Sequence, residues 1–182
     1  CRDCSIRIGI KYFIVELICA LSFVLVFYLF GFSLTTLLFF ILSIFFVIIF
    51  FIDLKHFIIP NQLTFPLMAI GFFKTFNPNL NQYFFPNLID SMIGGVVGYL
   101  IIWIIIFAYK KLRKKEGMGL GDAKLLSAIG FWFGWISIPF ILFFSSFIAL
   151  AYALPSLLNK SKNMSSSIPY GPYLVLGCVL YL

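Results

Sequence analysis

Long apolar runs separated by short polar segments dominate this 182-residue chain. The runs cover residues 12–31, 34–52, 62–76, 87–109, 122–134, 136–155 and 168–182. A helix needs about 20 apolar residues to cross the hydrocarbon core, or fewer where protein surrounds it. The third and fifth runs are short, and the last one continues to the end of the sequence. We therefore predict an all-α, polytopic transmembrane helical bundle with about seven crossings.

The composition supports a membrane protein. Hydrophobic residues make up 63% of the chain, charged residues 10%, and the mean hydropathy is +1.10. These values lie outside the range of soluble globular domains. The first apolar run is long enough to span and is followed by another, which argues against a cleaved signal peptide. Because the sequence opens on Cys1 and ends inside an apolar run, we expect an N-terminally truncated fragment.

Basic residues predict the orientation in the membrane. With residues 1–11 in the cytosol and seven crossings, all but one of the 13 basic residues fall on the cytosolic side, as the positive-inside rule requires. The exception is Lys74, near the far end of the third run. The net charge of +7 therefore reflects topology and contact with the lipid bilayer, and we expect no nucleic-acid partner.

Two aspartates lie at the predicted cytosolic edge of apolar runs. Asp53 closes the second run within Asp53–Thr64, and Asp122 opens the fifth after alternating glycines within Glu116–Leu126. The chain has only six acidic residues, and ionisable groups beside lipid are costly, so both are candidates for a functional site. With or without such a role, we expect Asp122 at the N-cap of a helix. Without one, Asp53 would be an interfacial residue beside Lys55.

The surroundings of the two aspartates predict different protonation states. Asp122 should sit at a helix N-terminus, where the dipole favours the ionised carboxylate, and Asp53 at a C-terminus among apolar neighbours. Such contrasting environments suit acid–base chemistry by a carboxylate pair. Our hypothesis is that Asp122 activates a water molecule while protonated Asp53 polarises a scissile carbonyl group. If the carboxylates are in contact, they titrate as a unit and this assignment weakens.

These segments resemble those of the type IV prepilin peptidases, a family of polytopic aspartyl proteases. Asp-Leu-Lys-His-Phe-Ile-Ile-Pro-Asn-Gln-Leu-Thr resembles their first aspartate motif, and Gly-Leu-Gly-Asp their GxGD motif. The N-terminal Cys-x-x-Cys and Ile-Pro-Tyr-Gly-Pro-Tyr-Leu resemble further family segments. The similarity covers nearly the whole chain in the correct order.

The resemblance implies a membrane aspartyl endopeptidase with Asp53 and Asp122 as catalytic residues. It would remove the basic leader of prepilins or pseudopilins at the cytosolic face of the bacterial inner membrane. We expect the following residues to shape the site: Gly119, Gly121, Lys124, Pro60, Asn61, Pro169, Gly171 and Pro172. Lys124 is open to two interpretations, because it could keep Asp122 ionised or extend toward the interface. We expect residues 12–182 to form the peptidase domain; the oligomeric state stays open.

We expect the peptidase activity to need no cofactor, since hydrolysis by two carboxylates needs no metal. Structural zinc and S-adenosylmethionine are expected only in the intact protein. Cys1 and Cys4 could form half of a zinc site in the intact protein, or be an unpaired cytosolic pair. We interpret residues 1–11 as the remnant of a cytosolic Cys-containing segment. The family also methylates the new pilin N-terminus from S-adenosylmethionine, an activity assigned to a segment that this chain lacks, so methylation is left open.

Three other functions remain possible from the sequence. A small ion- or proton-coupled transporter would use the aspartates as a relay, although transporters usually carry such carboxylates near the midplane of a span. A non-catalytic scaffold could keep the fold, and the archaeal preflagellin-type peptidases share the GxGD chemistry.

Overall fold

The computed structural model describes residues 10–77, 80, 85–113, 119–158 and 169–182. Over these residues the chain forms seven α-helices and a single turn of 3₁₀ helix, and no strand. The helices are α1 (Ile10–Phe30), α2 (Leu34–His56), α3 (Asn61–Phe73), α4 (Leu88–Arg113), α5 (Leu120–Phe133), α6 (Ser137–Leu158) and α7 (Gly171–Tyr181), with the 3₁₀ turn at Lys74–Phe76. Each helix coincides with one predicted apolar run, so the prediction of a polytopic helical membrane protein is confirmed.

The helices differ in length. Segments of α1, α2, α4 and α6 are long and apolar enough to cross a membrane. By contrast, α3, α5 and α7 have 13, 14 and 11 residues. A 14-residue helix rises only about 21 Å, which is less than the roughly 30 Å of the hydrocarbon core. Backbone groups at the ends of α3 and α5 therefore need partners within the protein.

The chain divides into two compact units, Cys1–Ile48 and Ile49–Leu182, with the boundary inside α2. In the first unit, a tight turn at Gly31, with φ of +58°, joins α1 to α2. Thr36 Oγ1 donates to the Gly31 carbonyl oxygen over 2.6 Å, which fixes this turn. The rings of Phe23 and Phe40 pack at 4.7 Å, so aromatic contacts join the two helices.

In the second unit, glycines bring α4 and α5 into close contact. A methyl group at Gly94 would collide with the Gly130 carbonyl oxygen, and one at Gly130 would collide with Gly94. Ser127 Oγ donates to the Gly95 carbonyl oxygen over 2.7 Å across the same contact. Small residues of this kind let helix backbones approach within a membrane, where lipid supplies little driving force for association.

Contacts between α3 and α5 continue the bundle. Trp132 Nε1, on α5, donates to the Leu67 carbonyl oxygen on α3 over 2.8 Å. The indole lies against Gly71, where a methyl group would come within 2.6 Å of it. In the same unit, Gly177 of α7 packs against Ser145 and Ile141 of α6. The pairs α4–α5, α3–α5 and α6–α7 are thus each in close contact at a glycine, which has no side chain to hold the helices apart.

We expect Gly94→Ala to destabilise the protein by about 1–3 kcal/mol, because the added methyl group forces α4 away from α5. Unfolding by a denaturing detergent, followed by tryptophan fluorescence, measures this effect. Val96→Ala, at an α4 position with 55% of its surface exposed, should change stability by no more than about 0.5 kcal/mol. Equal stability of the two variants would contradict the proposed packing.

Candidate active site

Asp53 lies in the last turn of α2 and is buried, with 4% of its surface exposed. The helix ends just beyond it at Phe57, which has the left-handed φ of 57°. Such a φ is strained for a bulky residue, and strain of this kind concentrates at functional sites. The turn redirects the chain through Ile58 and Ile59 to Pro60, the N-cap of α3.

The Asp53 carboxylate receives its hydrogen bond from a distant part of the chain. The backbone N–H of Gly171, the first residue of α7, donates to Asp53 Oδ2 over 3.0 Å. The positive end of the α7 dipole therefore faces this carboxylate. We predicted only the unfavourable C-terminus of α2 here, and that prediction was incomplete, because the compensating helix N-terminus comes from 118 residues away.

Asp122 is buried, with 7% of its surface exposed, in the first turn of α5. The predicted N-cap position was wrong: Gly119 is the N-cap, and Asp122 is the third residue of the helix. Its side chain reaches back and accepts a hydrogen bond from the Gly119 backbone N–H. This is the position from which an acidic side chain usually closes a capping box.

The two carboxylates lie within electrostatic reach of each other. Ile59 packs between the glycines that flank them. Its side chain lies 2.9 Å from the methyl position of Gly171 and 3.0 Å from that of Gly121. Ile59 is 8% exposed, so its side chain is buried against the two helix starts that carry these glycines. The sequence analysis missed Ile59; its place directly before Pro60 in the first aspartate motif was the available signal.

Each of the two aspartates therefore has one backbone N–H from a helix N-terminus. The contrast between their surroundings, from which we assigned separate protonation states, is much smaller than the sequence suggested. Two ionised carboxylates at close range in a buried site repel each other. A pair that retains one proton relieves this repulsion, and it then titrates as a unit.

Lys124 faces α3. Its Nζ donates to Asn61 Oδ1, at the start of α3, over 2.7 Å and lies 5.5 Å from the centre of the Phe65 ring. Residues two apart on a helix point in different directions, which explains why Lys124 and Asp122 do not share a partner. Lys124 and Asn61 thus join the beginnings of the two helices that flank the aspartate pair.

Tyr170 is a second residue that the sequence analysis did not single out. It is the N-cap residue of α7, directly before Gly171. Its hydroxyl group lies 3.3 Å from Ser146 Oγ on α6, and the residue interacts electrostatically with Asp122. The Pro-Tyr-Gly-Pro sequence was the signal, because prolines at helix starts fix the backbone that carries the tyrosine.

Of the other predicted site residues, Pro169 is half-buried next to Tyr170, while Pro172 is buried in the first turn of α7. Gly119 is exposed, and a methyl group there would meet nothing closer than 3.8 Å. Cys1 and Cys4 lie outside the described residues. Within the described part of the chain, no group of three or more His, Cys, Asp or Glu side chains is arranged to hold a metal ion.

Gly171→Ala should lower the stability by about 1–3 kcal/mol, since the methyl group would lie 2.6 Å from Asp53 Oδ2. Gly119→Ala is the matched variant, with ordinary contacts and a φ of −81° that alanine adopts easily. Thermal unfolding in detergent micelles compares the two. Equal midpoints would show that Asp53 does not hold the start of α7.

Comparison with known proteins identifies the family of this chain. Residues 39–154 match the Type IV leader peptidase family. The "Prepilin leader peptidase/N-methyltransferase" of Aeromonas salmonicida (strain A449) is 39% identical over 181 residues, covering 97% of this chain and 59% of the relative. The proteins of that name from Neisseria gonorrhoeae and Pseudomonas aeruginosa are 35% and 33% identical, covering 100% and 97% of this chain.

The chain spans about 60% of the length of these curated relatives. No solved structure gives a significant match. The family match covers more than half of the chain, includes both aspartates and agrees with the multi-pass helical architecture. This protein belongs to the type IV leader peptidase family.

Proposed function

We propose that this chain is an aspartic endopeptidase that cleaves the basic leader from type IV prepilins or pseudopilins, with Asp53 and Asp122 as its catalytic residues. The observation that carries the proposal is the pairing of two buried carboxylates, drawn from the end of α2 and the start of α5. The names of the relatives supply the class of substrate.

The pair can perform hydrolysis when it holds one proton. The ionised carboxylate takes a proton from a water molecule, whose oxygen attacks the carbonyl carbon of the scissile peptide bond. The protonated carboxylate donates its proton to the carbonyl oxygen. When the tetrahedral intermediate collapses, the C–N bond breaks and the leaving amine takes up the proton of one carboxylate. A hydroxyl group of the intermediate gives its proton to the other carboxylate as the new carbonyl group forms, which restores the singly protonated pair. The Gly171 N–H group stabilises the charged form of Asp53, and the Gly119 N–H group stabilises that of Asp122.

The position of the pair suits a substrate that carries an apolar helix. Both carboxylates lie at helix ends, one in the last turn of α2 and the other in the first turn of α5. A substrate helix in the bilayer would present its polar leader junction at this level. We propose that this level is the cytosolic face of the inner membrane, as the distribution of basic residues indicates. A transporter relay at mid-span fits these helix-end positions less well.

Methyl transfer is not part of the proposed function of the described residues. The relatives' names include an N-methyltransferase activity, and S-adenosylmethionine would be its methyl donor in the intact protein. No described residue points to a nucleoside site, and the aspartate pair explains hydrolysis alone.

Asp53→Asn and Asp122→Asn should each reduce cleavage by a factor of about 100 to 10,000, because each removes a proton donor or acceptor from the pair. The assay follows a prepilin-like substrate in membranes, with expression of each variant matched to wild type. Asp90→Asn is the control and should cleave as wild type does. Asp90 lies in the first turn of α4, where it accepts a hydrogen bond from Trp135 Nε1.

Full cleavage by either Asp53→Asn or Asp122→Asn would rule out the two-aspartate mechanism. A full-length relative, assayed in parallel, verifies that the substrate is competent. If cleavage fails only in this chain while the relative cleaves, residues beyond the chain are needed for activity.

Tyr170→Phe should lower kcat by about 2- to 12-fold with little change in KM, because it removes the hydroxyl group that contacts Ser146 and interacts electrostatically with Asp122. Tyr173→Phe, a buried tyrosine one turn further along α7, is the matched control and should cleave normally. Initial rates over a range of substrate concentrations separate the two parameters. Equal kcat values for the two variants would exclude a positioning role for the Tyr170 hydroxyl group.

A further inference from the structure

Lys74 is the one basic residue that the predicted topology assigns to the membrane side away from the aspartates. It begins the 3₁₀ turn after α3 and is buried, with 6% of its surface exposed. Among the residues that the structure describes, none accepts a hydrogen bond from its Nζ atom. An ammonium group buried without a counter-ion or acceptor is strongly destabilising. A residue of this kind therefore indicates a ligand that supplies the missing acceptor.

Two aromatic rings lie close to the Lys74 ammonium group. Nζ lies 4.1 Å from the centre of the Phe85 ring and 5.7 Å from that of Trp132. Ring faces attract a cation, but an ammonium group carries three N–H donors that point in different directions. The rings cover one side of the group and leave N–H donors for which the described part of the chain offers no acceptor.

The lysine lines a cavity of about 110 Å³ that is mainly polar. Asn77 and Asn87 contribute amide groups, and Leu88, the first residue of α4, also lines it. The cavity is therefore bounded by the start of a 26-residue helix, whose first-turn N–H groups favour an anion. The only acidic residue in that turn, Asp90, is bonded to Trp135 through Oδ1 and is not part of the lining.

We propose that the Lys74 cavity binds a phosphate group. The ammonium group supplies charge, the start of α4 supplies backbone donors, and the asparagine amides supply further hydrogen bonds. The volume corresponds to a few water molecules, which suits a single phosphate group and excludes a larger ligand such as a nucleotide. The phosphate comes either from a phospholipid headgroup or from free phosphate in solution.

This site is separate from the aspartate pair. Asn61 and Lys74 lie at opposite ends of α3, which are about 20 Å apart along the helix axis. Phosphate binding can therefore be tested without reference to peptidase activity. Failure of one proposal leaves the other intact.

The test measures the thermal unfolding midpoint of the purified protein in a neutral detergent. One arm adds inorganic phosphate, with chloride at equal ionic strength as its reference. The other adds dihexanoyl phosphatidic acid, with dihexanoylglycerol as its reference. A probe at ten times its Kd should raise the midpoint by about 3–6 °C. A response to phosphate alone identifies a free anion, and a response to the lipid alone identifies a headgroup.

Two substitutions should abolish the response by different routes. Lys74→Met keeps the length of the side chain and removes its charge. Asn87→Asp puts a carboxylate into the cavity, where it would pair with Lys74 and exclude phosphate. Lys111→Gln, at an exposed position near the opposite end of α4, is the control and should respond as wild type does.

The proposal stands if the wild type and Lys111→Gln respond while Lys74→Met and Asn87→Asp do not. If Lys74→Met fails to fold, Asn87→Asp decides the question alone. The absence of a shift with both probes in the wild type, or an undiminished shift in Lys74→Met, would falsify it.

Discussion

The hydrogen bond from Gly171 N–H to Asp53 is the interaction on which the rest of the second unit depends. A buried carboxylate must find donors, and those at the end of its own helix are already used. The α7 N-terminus supplies the donor, so the chain must return over 118 residues to the end of α2. That return requires glycine at position 171, where a side chain would collide with Asp53, and glycine at position 177, where α7 meets α6.

The short helices explain how backbone donors reach the carboxylates. Helix α5, with 14 residues, is too short to cross the hydrocarbon core alone, and α5 and α7 each begin beside one of the aspartates. Their N-terminal N–H groups have no helical partners, and such groups are tolerated at depth only inside the protein or beside water. Asp122 uses the start of α5 and Asp53 the start of α7. Unpaired backbone N–H groups, which would be destabilising in a helix that faces lipid, thus stabilise a buried acidic pair.

The helical architecture could be predicted because apolar run length depends on local sequence, and each of the seven runs became a helix. The two aspartates could be singled out because charge beside lipid is costly. The donor of Asp53 could not be predicted, since it is 118 residues away along the chain. The N-cap was misassigned because the glycines before Asp122 allow the helix to start earlier. Ile59 and Tyr170 were missed because their roles depend on neighbours from other helices.

Contacts between α3 and α5, at a distance from the aspartate pair, help to fix the position of Asp122. Helices α3 and α5 are joined near their starts by Lys124 and Asn61, and farther along by Trp132 and the Leu67 carbonyl oxygen. Two contacts along the same pair of helices prevent one from sliding or rotating against the other. Asp122 lies in the first turn of α5, so its position follows from these two contacts. The proposed catalytic role requires the carboxylates to be held to within about 0.5 Å, and helices fixed at two levels provide such rigidity where a loop would not.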